Sequence, residues 1–284
     1  MAPATSKGLS LGVLEELERL AVEVATEAGR LIVEQRPAGL GVEKTKSSAT
    51  DVVTVMDQRA QDLIRTRLRA ARPDDGFLGE EESEEAGTSG VRWVIDPIDG
   101  TVNFLYGLPQ YAVSIAAEWR GEVVAGVVVN AATGVEYVAH VSSGGTAEAT
   151  RDGRPIGVRG PAPLSQRLVA TGFSYDASLR ELQAQALVRL LPRVRDIRRL
   201  GSCALDLCHV AEGSVDAYVE EGVNLWDHAA GALVARAAGA RTELTRGVGG
   251  RDLLVCAPSH GFDEFRDAVQ QAGYAARKPP EIGE

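Results

Sequence analysis

Between Leu11 and Gln35 apolar residues recur at helical spacing: Leu14, Leu17, Leu20, Ala21, Val24, Ala28, Leu31 and Ile32. Charged residues fill the positions between them, so a long amphipathic core helix is predicted, stopped by Pro37 and Gly39. A second stripe (Ala60, Leu63, Ile64, Leu68) predicts a helix over Gln58 to Ala71. Asp57 then stands at its N-cap or first turn, where an acid complements free N–H groups. Capping is the simpler reading of Asp57 taken alone.

The period then shortens. Phe77–Gly79, Val91–Ile95, Ala112–Trp119, Glu122–Asn130, Val135–Val141 and Thr146–Thr150 are short apolar runs. Turn signals separate them at Arg72-Pro73-Asp74-Asp75-Gly76, Arg120-Gly121 and Asp152-Gly153-Arg154-Pro155, which predicts strands in a largely antiparallel sheet under two helices. From Pro161 strands and helices alternate. Strands are expected at Leu168–Gly172, Asp196–Leu200, Val215–Glu220, Ala240–Leu244 and Leu253–Ala257. Helices are expected at Ser178–Leu191, Cys203–Ala211, Asp227–Ala238 and Asp263–Ala272. The chain thus reads as an α+β part over residues 1–155 and an α/β part over 156–284.

With 44% hydrophobic and 25% charged residues among 284, the composition is that of an ordinary globular protein with ample core material. A net charge of −10 argues against a general binder of nucleic acid or anionic membranes. Cys203, Cys208 and Cys256 are an odd set without ligand spacing, which predicts reduced, buried thiols in a cytoplasmic protein. No apolar run is long enough for a membrane span. Met1–Ser10 lacks the features of a signal peptide and reads as a short leader, and Arg277–Glu284 reads as a polar tail.

The chemistry concentrates on Trp93-Val94-Ile95-Asp96-Pro97-Ile98-Asp99-Gly100-Thr101. The apolar run predicts a buried strand that ends at Asp96, because Pro97 biases its predecessor and lacks an N–H. Gly100 permits a positive φ, and Thr101 is placed to cap a following turn. Two acids at a strand end beside a helix start suit a divalent cation on one side and an anion on the other. Taken in isolation, an Asp-x-x-Asp turn is more often an acidic surface. Glu80 follows its own short strand; if that strand pairs with the one before Asp96, the two acids meet. The run Glu80 to Glu85 otherwise reads as a solvated face.

A second acidic site is Asn224-Leu225-Trp226-Asp227-His228-Ala229-Ala230-Gly231. The small residues predict a helix packed closely on its neighbours, which would fix Asp227 firmly; an N-cap role is the alternative. Glu220 and Glu221 are candidates beside it, or an acidic loop. The four histidines show no metal-site pairing. Gly-x-Ser-x-Gly, P-loop and dinucleotide fingerprints are absent. Arg193, Arg195, Arg198 and Arg199 form a basic cluster expected on a solvated or subunit-contact face.

The stretches Trp93 to Phe104 and Trp226 to Val234, continuing through Gly239-Ala240, resemble the two signatures of the inositol monophosphatase family. Gly79-Glu80-Glu81, and Asp51 through Asp57, match it in kind, order and approximate spacing. The resemblance covers nearly the whole chain. It implies the layered α-β-α-β-α sandwich of the lithium-sensitive, magnesium-dependent sugar phosphatases. It implies that Glu80, Asp96 and the Ile98 carbonyl hold one Mg²⁺, and Asp96, Asp99 and Asp227 a second. A third, weaker Mg²⁺ would face Glu80, and Mn²⁺ is a possible substitute.

By the same resemblance Thr101, oriented by Asp57, would position and help deprotonate the attacking water, with Glu80 among the catalytic acids and Glu81 nearby. Gly100 and Thr101 N–H groups would hold the phosphate. Asp99, Gly201, Ser202, Cys203, Glu220 and Asp227 would contact the rest of the substrate. The implied reaction is hydrolysis of a phosphate monoester, with myo-inositol 1-phosphate first. Histidinol phosphate, fructose 1,6-bisphosphate and 3′-phosphoadenosine 5′-phosphate are the alternatives within the enzyme class. A homodimer is implied as well. A non-catalytic role beside RNA polymerase, known among bacterial relatives, is the alternative of another class. All-oxygen metal chemistry agrees with the residues themselves, since Mg²⁺ takes carboxylate oxygen and substrate phosphate as ligands.

Overall fold

The computed structural model describes residues 9–35, 44–45, 52–53, 55–80, 84–141 and 147–276. Glu81, Asp51, the loop before it, most of the leader and the polar tail lie outside the described residues. Helix α1 (Leu11–Glu34) opens with Ser10, whose hydroxyl accepts from the Val13 N–H. A two-residue ladder, β1 (Lys44–Thr45) with β2 (Val52–Val53), precedes α2 (Val55–Ala71). Strand β3 (Gly76–Gly79) is followed by β4 (Val91–Asp99) and a short helix α3 (Thr101–Tyr106). A meander continues through β5 (Ala112–Trp119), β6 (Glu122–Asn130), β7 (Glu136–Val141), β8 (Ala147–Arg151) and β9 (Arg154–Pro155). These strands form one sheet in the order β3 to β9, parallel only between β3 and β4.

The second half supplies β10 (Leu168–Thr171), α4 (Ala177–Leu190), β11 (Asp196–Arg198), α5 (Cys203–Ala211) and β12 (Ala217–Glu221). It closes with α6 (Leu225–Ala237), β13 (Ala240–Arg246), β14 (Asp252–Pro258) and α7 (Phe262–Ala272). Its five-stranded sheet runs β11-β10-β12-β14-β13. Among the described residues no helix is long and apolar enough to cross a membrane.

Three apolar clusters define the layers. Leu14, Leu17, Val24 and Ile32 of α1, with Ala60, Ile64 and Leu68 of α2, cover the Trp93 and Ile95 face of the first sheet. The opposite face, with Val94, Ala116 and Val128, packs on α5 and α6, which in turn meet Ala170, Tyr218, Leu254 and Cys256 of the second sheet. The far face of that sheet, with Val169, Val219 and Val255, is closed by α4 and α7. The order is therefore α-β-α-β-α. Both sheets are covered on both faces, which is why many strands read as continuous apolar runs rather than alternating ones.

The central helices sit unusually close to their neighbours. A Cβ at Gly126 of β6 would stand 2.9 Å from the Ala230 Cα, and one at Gly231 would stand 2.9 Å from the Ala204 carbonyl oxygen. The small residues of α6 thus clamp it between β6 and α5, and its first turn carries Asp227.

Candidate active site

The parallel pairing of β3 and β4 sets Gly79 opposite Ile95, and the Glu80 N–H donates to the Ile95 carbonyl at 3.3 Å. Glu80 and Asp96 therefore leave adjacent strand positions together. The sequence reading ended β4 at Asp96, but the strand resumes its ladder at Asp99. Asp96 faces Ser114 and Asp99 faces Ala112, so Pro97 and Ile98 share the place opposite Val113. This is a bulge, and it accommodates the missing N–H of Pro97. Residues three apart on a regular strand point to opposite faces, but the extra residue brings Asp96 and Asp99 to the same side.

Thr101 does not cap the next helix. Gly100 does, at φ 95°, and its Cβ-free backbone fits where a side chain would stand 2.7 Å from the Gln110 carbonyl oxygen. Thr101 is the first residue of α3, and its hydroxyl donates to the Ile98 carbonyl at 3.0 Å. Asp57 lies in the first turn of α2 and is buried; its charge is felt by Asp96.

Three carboxylates are oriented by hydrogen bonds to the protein. Asp96 Oδ1 accepts from the Ile98 N–H at 3.0 Å. Asp99 Oδ2 accepts from the Ser202 hydroxyl at 2.5 Å and the Ala204 N–H at 2.7 Å, at the start of α5. Asp227 Oδ2 accepts from the Asn224 N–H at 2.6 Å. Asp227 is not the N-cap, which is Asn224; it is the third residue of the helix and closes a capping box with Asn224, and it also faces the site. Of the residues named from the sequence, Glu80, Asp96, Ile98, Asp99, Gly100, Thr101, Gly201, Cys203, Glu220 and Asp227 line one cavity of about 730 Å³. Ser202 and Asp57 are not among its lining residues. Ser202 is buried and acts on the cavity through Asp99.

The acids oppose one another's ionisation. Burial raises Asp96 well above the usual carboxylate range, and the charges of Glu80, Asp99, Asp227 and Asp57 add to it. Burial pushes Asp99 up to about 7 against the hydrogen bonds of Ser202 and Ala204, with Glu220 and Glu80 raising it further. Asp227 is raised by burial and then by Asp99, against the Asn224 N–H. Burial raises Glu220, while Tyr218 and Arg199 act in the opposite direction. A cation placed among these groups would favour their charged forms.

As the side chains stand, no three His, Cys, Asp or Glu among the described residues converge on one metal position. The donor chemistry nevertheless fits a hard divalent cation. Each of Asp96, Asp99 and Asp227 has only one oxygen in the hydrogen bonds above, and all three line the cavity. The Cys203 thiol in the wall is pushed well up by burial and by Asp99, Glu220 and Asp227.

Two residues were missed. Arg199 and Arg251 are the cations among the described lining residues. The sequence grouped Arg199 with a surface cluster, and its neighbours do behave so. Arg198 pairs with Asp196 at 2.6 Å, and Arg193 and Arg195 donate to backbone carbonyls. Arg199 alone of the four turns to the cavity, and its position two residues before Gly201 was the available signal. Glu221 is no acidic loop: it is buried, and its Oε1 accepts from the Gly249 and Arg251 N–H groups at 2.8 and 3.1 Å.

The profile of the inositol monophosphatase family matches residues 13–270. The chain belongs to that family. It is 47% identical over 240 residues to an inositol-1-monophosphatase of Mycobacterium bovis, covering 82% of this chain and 83% of that one. It is 43% identical over 276 residues to an inositol-1-monophosphatase of Mycobacterium leprae, covering 90% and 94%. The solved structure of Mycobacterium tuberculosis SuhB superposes with a TM-score of 0.76 at 42% identity, covering 92% of this chain and 98% of that one. As a member of the inositol monophosphatase family, this chain is a phosphatase.

Proposed function

We propose that the enzyme hydrolyses myo-inositol 1-phosphate, or a closely related polyol phosphate, with Mg²⁺ held by Glu80, Asp96, the Ile98 carbonyl, Asp99 and Asp227. The observation that carries this reading is the gathering of acids from four separate places in the chain around one cavity beside Gly100 and Thr101. Bound there, Mg²⁺ supplies charge neutralisation for the phosphoryl oxygens, a more acidic attacking water and stabilisation of the leaving alkoxide.

The chain's own groups supply alignment. The first N–H groups of a helix lack intrahelical partners, so those of Gly100 and Thr101 are suited to phosphate oxygens. Thr101 Oγ1 gives its own proton to the Ile98 carbonyl, so its lone pairs are what it offers to a water. Asp57, buried in the first turn of α2 with its charge felt by Asp96, would orient Thr101. Asp99, fixed from α5, and Glu220, at the end of β12, offer acceptors to substrate hydroxyls. Uncatalysed phosphate ester hydrolysis is very slow, and positioning plus charge stabilisation is the main part of its catalysis. A homodimer in the cytoplasm and inhibition by lithium complete the proposal.

The test is phosphate release from a panel of four substrates: myo-inositol 1-phosphate, histidinol phosphate, fructose 1,6-bisphosphate and 3′-phosphoadenosine 5′-phosphate. The highest kcat/KM is expected for inositol 1-phosphate. Preference for another member would replace the substrate and leave the metal site standing.

A further inference from the structure

Glu220 reaches the cavity from the end of β12, and its carboxylate is held in three ways. The Tyr218 hydroxyl, two residues earlier on the same strand, donates to Glu220 Oε2 at 2.8 Å. Tyr218 is fully buried, with Cys203 beside its hydroxyl. The carboxylate lies flat on Gly172, at the end of β10, where any Cβ would overlap it. Arg199, on the cavity wall, favours the charged form. A glutamate side chain has several free rotations, and fixing them on substrate binding costs entropy. Here that ordering is already made. One oxygen is committed to Tyr218, which leaves Oε1 as the fixed acceptor.

We propose that Tyr218 and Gly172 are positioning residues that lock the Glu220 carboxylate as an acceptor for a substrate hydroxyl, making this wall a subsite for polyol phosphates. The proposal rests on the reading of Glu220 as a substrate contact. A site built to hydrogen-bond a hydroxyl rejects analogues without one, because its buried polar group is then left unpaired. Selectivity for a polyol over a simple aryl ester would therefore depend on two residues that never touch the substrate. Gly172 is required by space alone: the group it would displace is the far end of a flexible side chain, so Gly172→Ala moves the carboxylate and leaves the fold in place.

The experiment compares kcat/KM for myo-inositol 1-phosphate with that for 4-nitrophenyl phosphate, which carries no hydroxyl, at saturating Mg²⁺. Tyr218→Phe is expected to lower the ratio of the two by about fivefold to tenfold, through KM for the polyol. Gly172→Ala is expected to lower it in the same direction by another route. Glu220→Met, which keeps the length and removes both acceptor oxygens, sets the full effect, and adding Tyr218→Phe to it is expected to change the ratio no further. Equal losses on both substrates in Tyr218→Phe and Gly172→Ala would overturn the proposal in favour of a purely structural role. An unchanged ratio in those two variants, with a reduced one in Glu220→Met, would overturn it while sparing the substrate contact. An unchanged ratio in Glu220→Met itself would overturn both.

Discussion

Gly231 of α6 is where packing and chemistry meet most directly. A Cβ there would stand 2.9 Å from the Ala204 carbonyl oxygen and 3.0 Å from the Leu207 Cβ. Since non-bonded carbon contacts settle near 3.5 Å, Gly231→Ala requires α5 and α6 to separate by about 0.5 Å. Neither obstacle is the tip of a flexible side chain. Overpacking of this kind costs about 1–3 kcal/mol, and the better helix propensity of Ala offsets about 1 kcal/mol of it. The net loss, up to about 2 kcal/mol, lowers Tm by up to about 6 °C. The same separation loosens the site, because α5 holds Asp99 through Ser202 and Ala204 while α6 holds Asp227. The Mg²⁺ concentration for half-maximal activity should rise several-fold. Thermal unfolding and a Mg²⁺ titration of phosphate release read the two effects. Gly12→Ala in α1 is the control, since its Cβ would meet nothing within 4 Å. Wild-type Tm and wild-type Mg²⁺ dependence in Gly231→Ala would refute the claim that close packing of α6 holds the site together.

Other expectations follow from single groups. Asp96→Asn keeps the acceptor for the Ile98 N–H and removes one buried charge from the acidic cluster, so the Mg²⁺-free variant should melt above Mg²⁺-free wild type. Its kcat/KM should meanwhile fall by about tenfold or more, and a lower Tm in Mg²⁺-free buffer would count against mutual repulsion. Glu212 is raised by burial but lowered more by hydrogen bonds from His209, Ser214 and Tyr137, to about 2 from an ordinary 4.5. A depressed folded value means its stabilisation is complete above pH 4.5 and is lost between about 4.5 and 2, so Glu212→Gln should flatten the acid side of a Tm-against-pH curve across that window. The buried Trp93 Nε1 donates to Asp75 Oδ2 at 2.9 Å, and Trp93→Phe should cost about 1–3 kcal/mol in urea unfolding at unchanged m.

The helices and strands were legible because apolar spacing is a direct consequence of burial, whereas the order of the layers came with the family resemblance. The helix Cys203–Ala211 was read with both ends correct, and β5 and β6 were placed as a hairpin. The bulge at Pro97 and Ile98 was not legible. A proline signals the loss of a ladder hydrogen bond, and only the partner strand shows whether pairing resumes beyond it. Thr101 was taken for the cap because hydroxyl residues usually cap helices, but the positive φ falls one residue earlier, at Gly100. The acids of the site could be read as a set because their spacing carries the family resemblance. What orients them could not. Tyr218, Gly172 and Glu220 meet through strands separated by some fifty residues, and local sequence carries no trace of that pairing. Arg199 was lost among like charges for the same reason, since a cluster in sequence need not face one way in space.

The decisive measurement is phosphate release from myo-inositol 1-phosphate by chelator-treated enzyme, titrated with Mg²⁺, wild type beside Asp227→Asn. The acids gathered at the cavity predict no turnover without the metal, full recovery of wild type on adding it, and little recovery of the variant at any concentration. Turnover that persists in chelator, or a variant that recovers as wild type does, would contradict a metal-dependent phosphatase built on these carboxylates.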